Sequence, residues 1–522
     1  MSIEVHPAPS WLGGAACALL LASGAALAAE PAAMSVRGAA VWAMGGQYLA
    51  FAIQFIASVV ISRWFLSPGE VGLFSIGMAT ALIVAVLQDF GLSRYISGLT
   101  VLDSQEIARC GSVAVLFSAL VAALVAATAW PMAIAYHEPR LTAILLILAS
   151  SYLFVPMSVV PMALMARSMQ FRGLFIVNGC TALAQGGLAV LLAAAGYSSF
   201  ALALATVAAA ATRGIVAQCM RPSWPRRLHF EGIGHVVGFG ARASVLYLTG
   251  ALGTRTPDLI VGKALGVTAV GLYSRAVSLS DQFRMLIAGA IGSVFYPAFA
   301  RIRDRGEPLG PAYLRVCAGY SGVVWPAMAG LALASGPIIR LLYGPAWLRT
   351  APLLAMIALT EVVLIALPLV SDLPILAGRL NQLLARNLLD TAVSVLLLAL
   401  GTHWGVEGAA ASRLVYGVFW YALYFRFMHR IVGFDLGSLL MIYLRSGLAS
   451  LAAIAPLALT YALWASPASI TIAQLALATA AGGLSWLLAL GLLRHPVLGE
   501  MLGMASAVPI VHRYIPARFR TA

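Results

Sequence analysis

"SRWFLSPGEVGLFSIG" (Ser62–Gly77) interrupts an apolar run with Arg63, Pro68 and Glu70 and then turns apolar again. "VGKALGVTAVGLYSRA" (Val261–Ala276) follows the same course. Val71-Gly72-Leu73-Phe74-Ser75 returns as Val270-Gly271-Leu272-Tyr273-Ser274, an offset of 270 − 71 = 199. Ala209-Ala210-Ala211-Thr212-Arg213 returns as Ala409-Ala410-Ala411-Ser412-Arg413, an offset of 409 − 209 = 200. An alanine-rich match alone carries little weight, but two matches at one spacing mark an internal repeat.

Composition says what kind of repeat this is. The chain has 522 residues, is 61% hydrophobic and 10% charged, with a mean hydropathy of +0.94. A soluble domain carries about 25% charged residues. After Met34, apolar windows lie near 38–62, 70–97, 109–135, 141–165, 172–195, 198–220, 237–262, 268–297, 312–334, 350–372, 379–401, 405–428, 438–464 and 468–493. Most have the ~20-residue length of a helix crossing a hydrocarbon layer. Turn chemistry separates them, as at Ser67-Pro68-Gly69, Gly196-Tyr197-Ser198 and Ser466-Pro467. The expected fold is an all-α polytopic membrane protein with about fourteen transmembrane helices. Windows one to six and seven to twelve form two six-helix bundles related by a parallel repeat, and two helices follow.

The expected organisation is an N-terminal extension (1–33), a first bundle (34–220), a basic linker (221–236), a second bundle (237–430), two further helices (431–493) and a basic tail (494–522). Trp11–Glu30 resembles a signal-peptide apolar region, but the first ten residues hold no Lys or Arg and include Glu4. A chain starting at Met34 is therefore expected to be functional.

The net charge is +14, and among 32 basic residues only Lys263 is a lysine. Arginines concentrate on alternate loops and the tail (Arg167, Arg221, Arg301, Arg303, Arg430, Arg518), whereas the intervening loops carry Arg63, Arg140, Lys263, Arg340 and Arg349. The positive-inside rule then puts both termini on the cytoplasmic side of the membrane. Basic residues in short loops suit lipid headgroups and do not suggest a nucleic-acid partner. The five cysteines (Cys17, Cys110, Cys180, Cys219, Cys317) are scattered and read as small core residues. No P-loop, HExxH or GxSxG occurs, so neither a cofactor, a metal site nor a catalytic set is expected. Short outer loops argue against a membrane glycosyltransferase or polymerase.

Ionisable residues inside apolar windows are the informative ones, since each costs about 2.5–3.5 kcal/mol at a helix centre on insertion scales. Arg255 and Asp258 flank Pro257, and Arg255 either pairs with Asp258 at a kink or is a substrate ligand. Ser274, Arg275, Ser278, Asp281 and Gln282 share one helical face, expected to line the substrate path. Arg284 lies off that face, three residues from Asp281. Glu361 has no sequence-local cation and reads either as a proton or sodium coupling site or as a protonated carboxyl. Arg386 and Asp390, four apart, read as a salt bridge. Arg213 and Arg413 either face the cavity or snorkel to the headgroups. The intramembrane balance reads as basic, and the substrate-path set is Arg255, Arg275, Ser278, Asp281, Gln282 and Arg413.

"ISRWFLSPGEVGLFSIGMATALIVAVLQDFGLSRYI" (61–96) and "RTPDLIVGKALGVTAVGLYSRAVSLSD" (255–281) resemble bacterial polysaccharide flippases of lipopolysaccharide and exopolysaccharide synthesis, within the multidrug/oligosaccharidyl-lipid/polysaccharide exporter superfamily. The resemblance runs from about Val36 to Arg430. It implies two bundles around a central, often cationic cavity, and transport of undecaprenyl-pyrophosphate-linked oligosaccharide from the inner to the outer leaflet. Implied partners are that lipid-linked substrate, membrane lipids and polysaccharide polymerase or export machinery. The alternatives are a drug or small-molecule exporter of the same superfamily and, further off, the glycosyltransferase or polymerase.

Overall fold

The computed structural model describes residues 36–86, 103–224, 234–292 and 295–506, together with Leu92, Tyr95, Ile96 and His229. The extension 1–33, Asp89, Arg94 and most of the tail, including Arg518, lie outside the described residues. Regular structure among the described residues is helical throughout. Each apolar window holds a helix or, once, a bent pair. The helices are α1 (Val36–Trp64), α2 (Pro68–Ala85), α3 (Ser104–Tyr136), α4 (Arg140–Tyr152), α5 (Pro156–Arg167), α6 (Phe171–Ala194), α7 (Phe200–Met220), α8 (Gly234–Leu265), α9 (Val267–Gly292) and α10 (Phe295–Asp304). They continue with α11 (Leu309–Leu333), α12 (Ser335–Leu342), α13 (Thr350–Ile365), α14 (Asp372–Leu376), α15 (Leu380–Gly401), α16 (Gly405–Val432), α17 (Leu436–Leu463), α18 (Ile472–Leu492) and α19 (Pro496–Ser506).

Among the described residues, 9 helical stretches are long and apolar enough to cross a membrane, with α15 and α16 counted as one stretch of 53 residues. The pair α4 and α5, bent by 46°, brings the number to 10. Pro156 opens α5 and has no N–H to continue the ladder of α4, and the chain bends there. α13 is apolar but only 16 residues long. Length and composition alone thus do not carry a count of fourteen spans.

The chain forms two compact units. The described residues within Met1–Ile61, Val84–Met132 and Pro139–Val245 make the first. Small residues bring its helices close. A Cβ on Gly186 of α6 would lie 3.1 Å from Ala57 Cβ of α1, and one on Gly46 would lie 3.2 Å from the Phe175 ring. Such small-residue contacts drive helix association where lipid removes the hydrophobic incentive. Gln54 Nε2 donates to Gln185 Oε1 across the same interface at 3.3 Å.

The second unit comprises Ser62–Ile83, Ala133–Glu138 and the described residues from Leu246 onward. This differs from the expected boundary between 220 and 237, because α2 clusters with α8 and α9. The reason lies in the repeated punctuation: its two copies pack on each other. A Cβ on Gly72 would meet Val267 O at 1.8 Å, and one on Gly271 would meet Pro68 O at 1.8 Å. Only glycine permits backbones this close. Ser75 and Ser274 share a hydrogen bond of 3.0 Å beside them. Nearby, Lys263 Nζ donates to Ala135 O at 2.6 Å, and Trp347 Nε1 donates to Ser62 O at 2.8 Å. Arg63 donates to Arg340 O at 3.3 Å and to Leu341 O, capping the carbonyl end of α12.

Within this unit α13 packs against α9, α11 and α16, and α17 against α11 and α18. A chain of neutral polar groups ties α11 to the junction after α18. Ser321 and Ser446 share a bond of 2.8 Å, and Ser446 meets His495 Nε2 at 2.9 Å. Val497 N–H donates to His495 Nδ1 at 3.2 Å, which leaves Nε2 to carry the proton. Of the cysteines, Cys110 and Cys317 are buried, whereas Cys180 is half-buried and Cys219 exposed, so two of them are not core residues.

Candidate functional site

Four helices of the second unit contribute charged side chains to an otherwise apolar interior. α9 carries Asp281 and Arg284, three residues apart and so within side-chain reach, and Arg284 Nη2 meets Asp281 Oδ1 at 3.0 Å. Arg284 Nε also meets Glu361 Oε2 of α13 at 3.1 Å. Glu361 is buried, so the carboxylate that lacks a cation along the sequence receives one from a neighbouring helix. α16 packs on the same stretch of α13 at Gly417. A Cβ there would touch Thr360 Cγ2 at 3.4 Å and Val363 Cβ at 3.5 Å, the residues around Glu361, and α16 lies close against α13.

α16 adds Arg413, whose guanidinium sits 4.9 Å from the Tyr416 ring centroid and donates to Ser394 Oγ of α15 at 3.4 Å. It is half-buried. Tyr416 OH donates to Asp390 Oδ2 at 3.2 Å. Asp390 Oδ1 and Gln282 Oε1 are buried acceptors without a hydrogen-bond partner among the described residues. The ionic group thus holds Arg284 against Asp281 and Glu361, while Arg413 and Asp390 both meet Tyr416 with no ion pair between them among the described residues. The interior reads as basic from sequence, but at this point Arg284 is balanced by Asp281 of its own helix and by Glu361 of α13.

The remaining sequence candidates go elsewhere. Arg255 is exposed and makes no ion pair with Asp258 within 4.0 Å, so the pair at the kink does not form. Arg275 lies 5.3 Å from the Tyr343 ring centroid and 5.4 Å from that of Trp347, an aromatic box at the α12 end of the unit. The α9 stripe divides: Ser274 bonds Ser75, Ser278 accepts from Gln282 Nε2 at 3.1 Å, and Asp281 is exposed. Arg213 is exposed.

The expected salt bridge between Arg386 and Asp390 is absent. Arg386 Nη1 donates to Gln382 O at 2.9 Å, and its guanidinium lies 4.0 Å from the Phe427 ring centroid. An arginine preceding its acid by four residues is the weaker helical order, and an aromatic face competes well for a guanidinium. Arg386 thereby faces a cavity of about 340 Å³ lined by Ala377, Arg379, Gln382, Phe427, Arg430 and Ile431. Sequence reasoning assigned Arg379 and Arg430 only to orientation. Their helical spacing from Gln382 and Phe427 was a usable signal, but nothing in the sequence pairs α15 with α16 at that point.

Comparison with known proteins completes the picture. A family model described as polysaccharide biosynthesis protein matches residues 34–352. The succinoglycan biosynthesis transport protein ExoT of Rhizobium meliloti is 24% identical over 337 residues, covering 63% of this chain and 66% of that protein. The lipopolysaccharide biosynthesis protein WzxC of Escherichia coli is 20% identical over 295 residues, covering 55% of this chain and 59% of that protein. The fold is shared with lipid II flippase MurJ in an inward closed conformation, at a TM-score of 0.69 and 13% identity, covering 86% of this chain and 98% of that one.

Proposed function

Because the chain belongs to the polysaccharide biosynthesis protein family, we propose that it flips a polyprenyl-diphosphate-linked oligosaccharide across a bacterial inner membrane by alternating access. Its termini are cytoplasmic, fourteen helices span the bilayer, and it is a transporter rather than an enzyme. Polymerase or export machinery consumes the product on the far side. The observation that carries the reading is Arg284, a guanidinium held between Asp281 and Glu361 inside an apolar bundle.

A diphosphate crossing hydrocarbon needs counter-charge that is present but not irreversibly occupied. Arginine stays charged and binds phosphate oxygens bidentately. Two carboxylates keep Arg284 compensated while no substrate is bound, which limits the cost of burying it. The Arg284 side chain retains 41% exposure, so exchange of a carboxylate for phosphate has a route. Protonation of Glu361 would release Arg284, which makes Glu361 the coupling site. Asp281, Gln282 and Ser278 from α9 and Arg413 from α16 line the path, and the open acceptors Asp390 Oδ1 and Gln282 Oε1 suit sugar hydroxyls. Arg255 and Arg275 stand at its outer end, where Arg275 is an anchor in its aromatic box and Arg255 a first contact.

Export complementation in a flippase-null strain tests this. A chain starting at Met34 should restore export. Arg255→Ala combined with Asp258→Ala should not rescue a loss caused by Arg255→Ala, because the two groups are not paired. Full export by the double variant, or none by the Met34 chain, contradicts the reading.

A further inference from the structure

The cavity of about 340 Å³ at the arginine-rich ends of α15 and α16 stands apart from the ionic group. Its volume falls within the ~300–1,000 Å³ of small-ligand sites. Three of its lining side chains are arginines, Arg379, Arg386 and Arg430, and none of the lining residues is acidic. Among the described residues, none of the three arginines takes part in an ion pair. Arg386 is pre-positioned: the Phe427 ring supports one face of its guanidinium at 4.0 Å, and Gln382 O fixes Nη1. An arginine has five N–H donors, so most of those on Arg386 remain available. Arg430 follows Phe427 by three residues, which places both on the same face of α16. Three like charges converging on one void repel each other, and an anion in the void turns that repulsion into attraction.

We propose that this cavity binds a phosphate-ester anion. The geometry fits a small, multiply oxygenated, negatively charged group, and bidentate guanidinium contacts favour phosphate over a single carboxylate. Two sources offer that chemistry: the headgroup of an anionic glycerophospholipid, or the diphosphate of a lipid-linked substrate, the latter resting on the transport reading above. The site is a binding site, separate from the residues assigned to the path. Its test therefore needs no transport, and its failure leaves the transport reading standing.

Native mass spectrometry and calorimetry on the purified full chain provide the test, with phosphatidylglycerol as one probe and inorganic pyrophosphate as the other. The wild type retains phosphatidylglycerol or binds pyrophosphate, and Arg386→Gln with Arg430→Gln weakens that binding at least tenfold. Arg430→Gln alone, at an exposed position, leaves the fold intact and weakens binding severalfold, while Arg386→Lys retains part of it because the charge remains and the fork is lost. Loss confined to phosphatidylglycerol assigns the site to lipid, and loss confined to pyrophosphate assigns it to the substrate diphosphate. Unchanged binding of both probes in folded Arg430→Gln and double variants overturns the proposal, as does a wild type that binds neither.

Discussion

Two arginine sites that both draw on α15 and α16 differ in the presence of carboxylates. Arg284 and Arg413 share their surroundings with Asp281, Glu361 and Asp390. Arg379, Arg386 and Arg430 border a void with no acid in its lining. The first site is compensated inside the bundle. The second opens at the helix ends and tolerates bare charge there. The contrast separates two uses of arginine: one exchanges partners in low dielectric, and the other waits for an anion.

Removing charge should therefore have opposite consequences at the two sites. Arg284→Ala leaves Glu361 buried and unpaired. Breaking a buried pair costs about 3–5 kcal/mol, and the partial exposure of Arg284 reduces this to roughly 2–4 kcal/mol. Thermal unfolding in detergent should show the loss, and Arg284→Gln with Glu361→Gln should recover most of it. An Arg284→Ala protein as stable as wild type would erase the contrast.

A third region, neutral and polar, adds a pH dependence. Burial first, and the Arg445 charge second, push the His495 imidazole down to about 4. The folded value lies below the unfolded value of ~6.5, so folding favours the neutral ring. Stability is complete above pH ~6.5 and is lost as pH falls toward 4, by about 2 kcal/mol at pH 5. Melting temperature measured against pH should decline across that window, and His495→Gln should flatten the decline. An identical decline in that variant would remove His495 as its source.

The close approach of the repeated motif holds α2 against α9, the helix that carries Arg284. Gly271→Ala places a Cβ against Pro68 O and should cost about 1–3 kcal/mol through overpacking, read by the same unfolding assay. A neutral result would mean that α2 and α9 shift apart easily. The smallest effect is expected at the void. Arg430→Gln orphans no carboxylate and should change stability by no more than about 0.5 kcal/mol. A large loss there would show that Arg430 supports the fold.

The repeat at an offset of 199 was legible because it is written in glycines and serines that face each other, Gly72 with Gly271 and Ser75 with Ser274. The apolar windows were legible because a hydrocarbon layer demands them. The Asp281–Arg284 pair followed from spacing along one helix. The partner of Glu361 did not, since Arg284 lies on a different helix, α9, which packs against α13. Arg386 misled for the complementary reason. Asp390 was near in sequence, while the competing Phe427 ring sits on the next helix. Sequence shows where charge is, and helix packing decides what neutralises it.

The most direct test of the central claim is flipping in proteoliposomes, scored by the accessibility of a diphosphate-linked oligosaccharide to an external sugar-cleaving enzyme. Wild-type chain should move the substrate across the bilayer. Arg284→Gln with Glu361→Gln, which leaves no buried orphan charge because the remaining Asp281 is exposed, should transport at least tenfold more slowly. Transport at the wild-type rate by that folded double variant, or no transport by the wild type, would contradict the account.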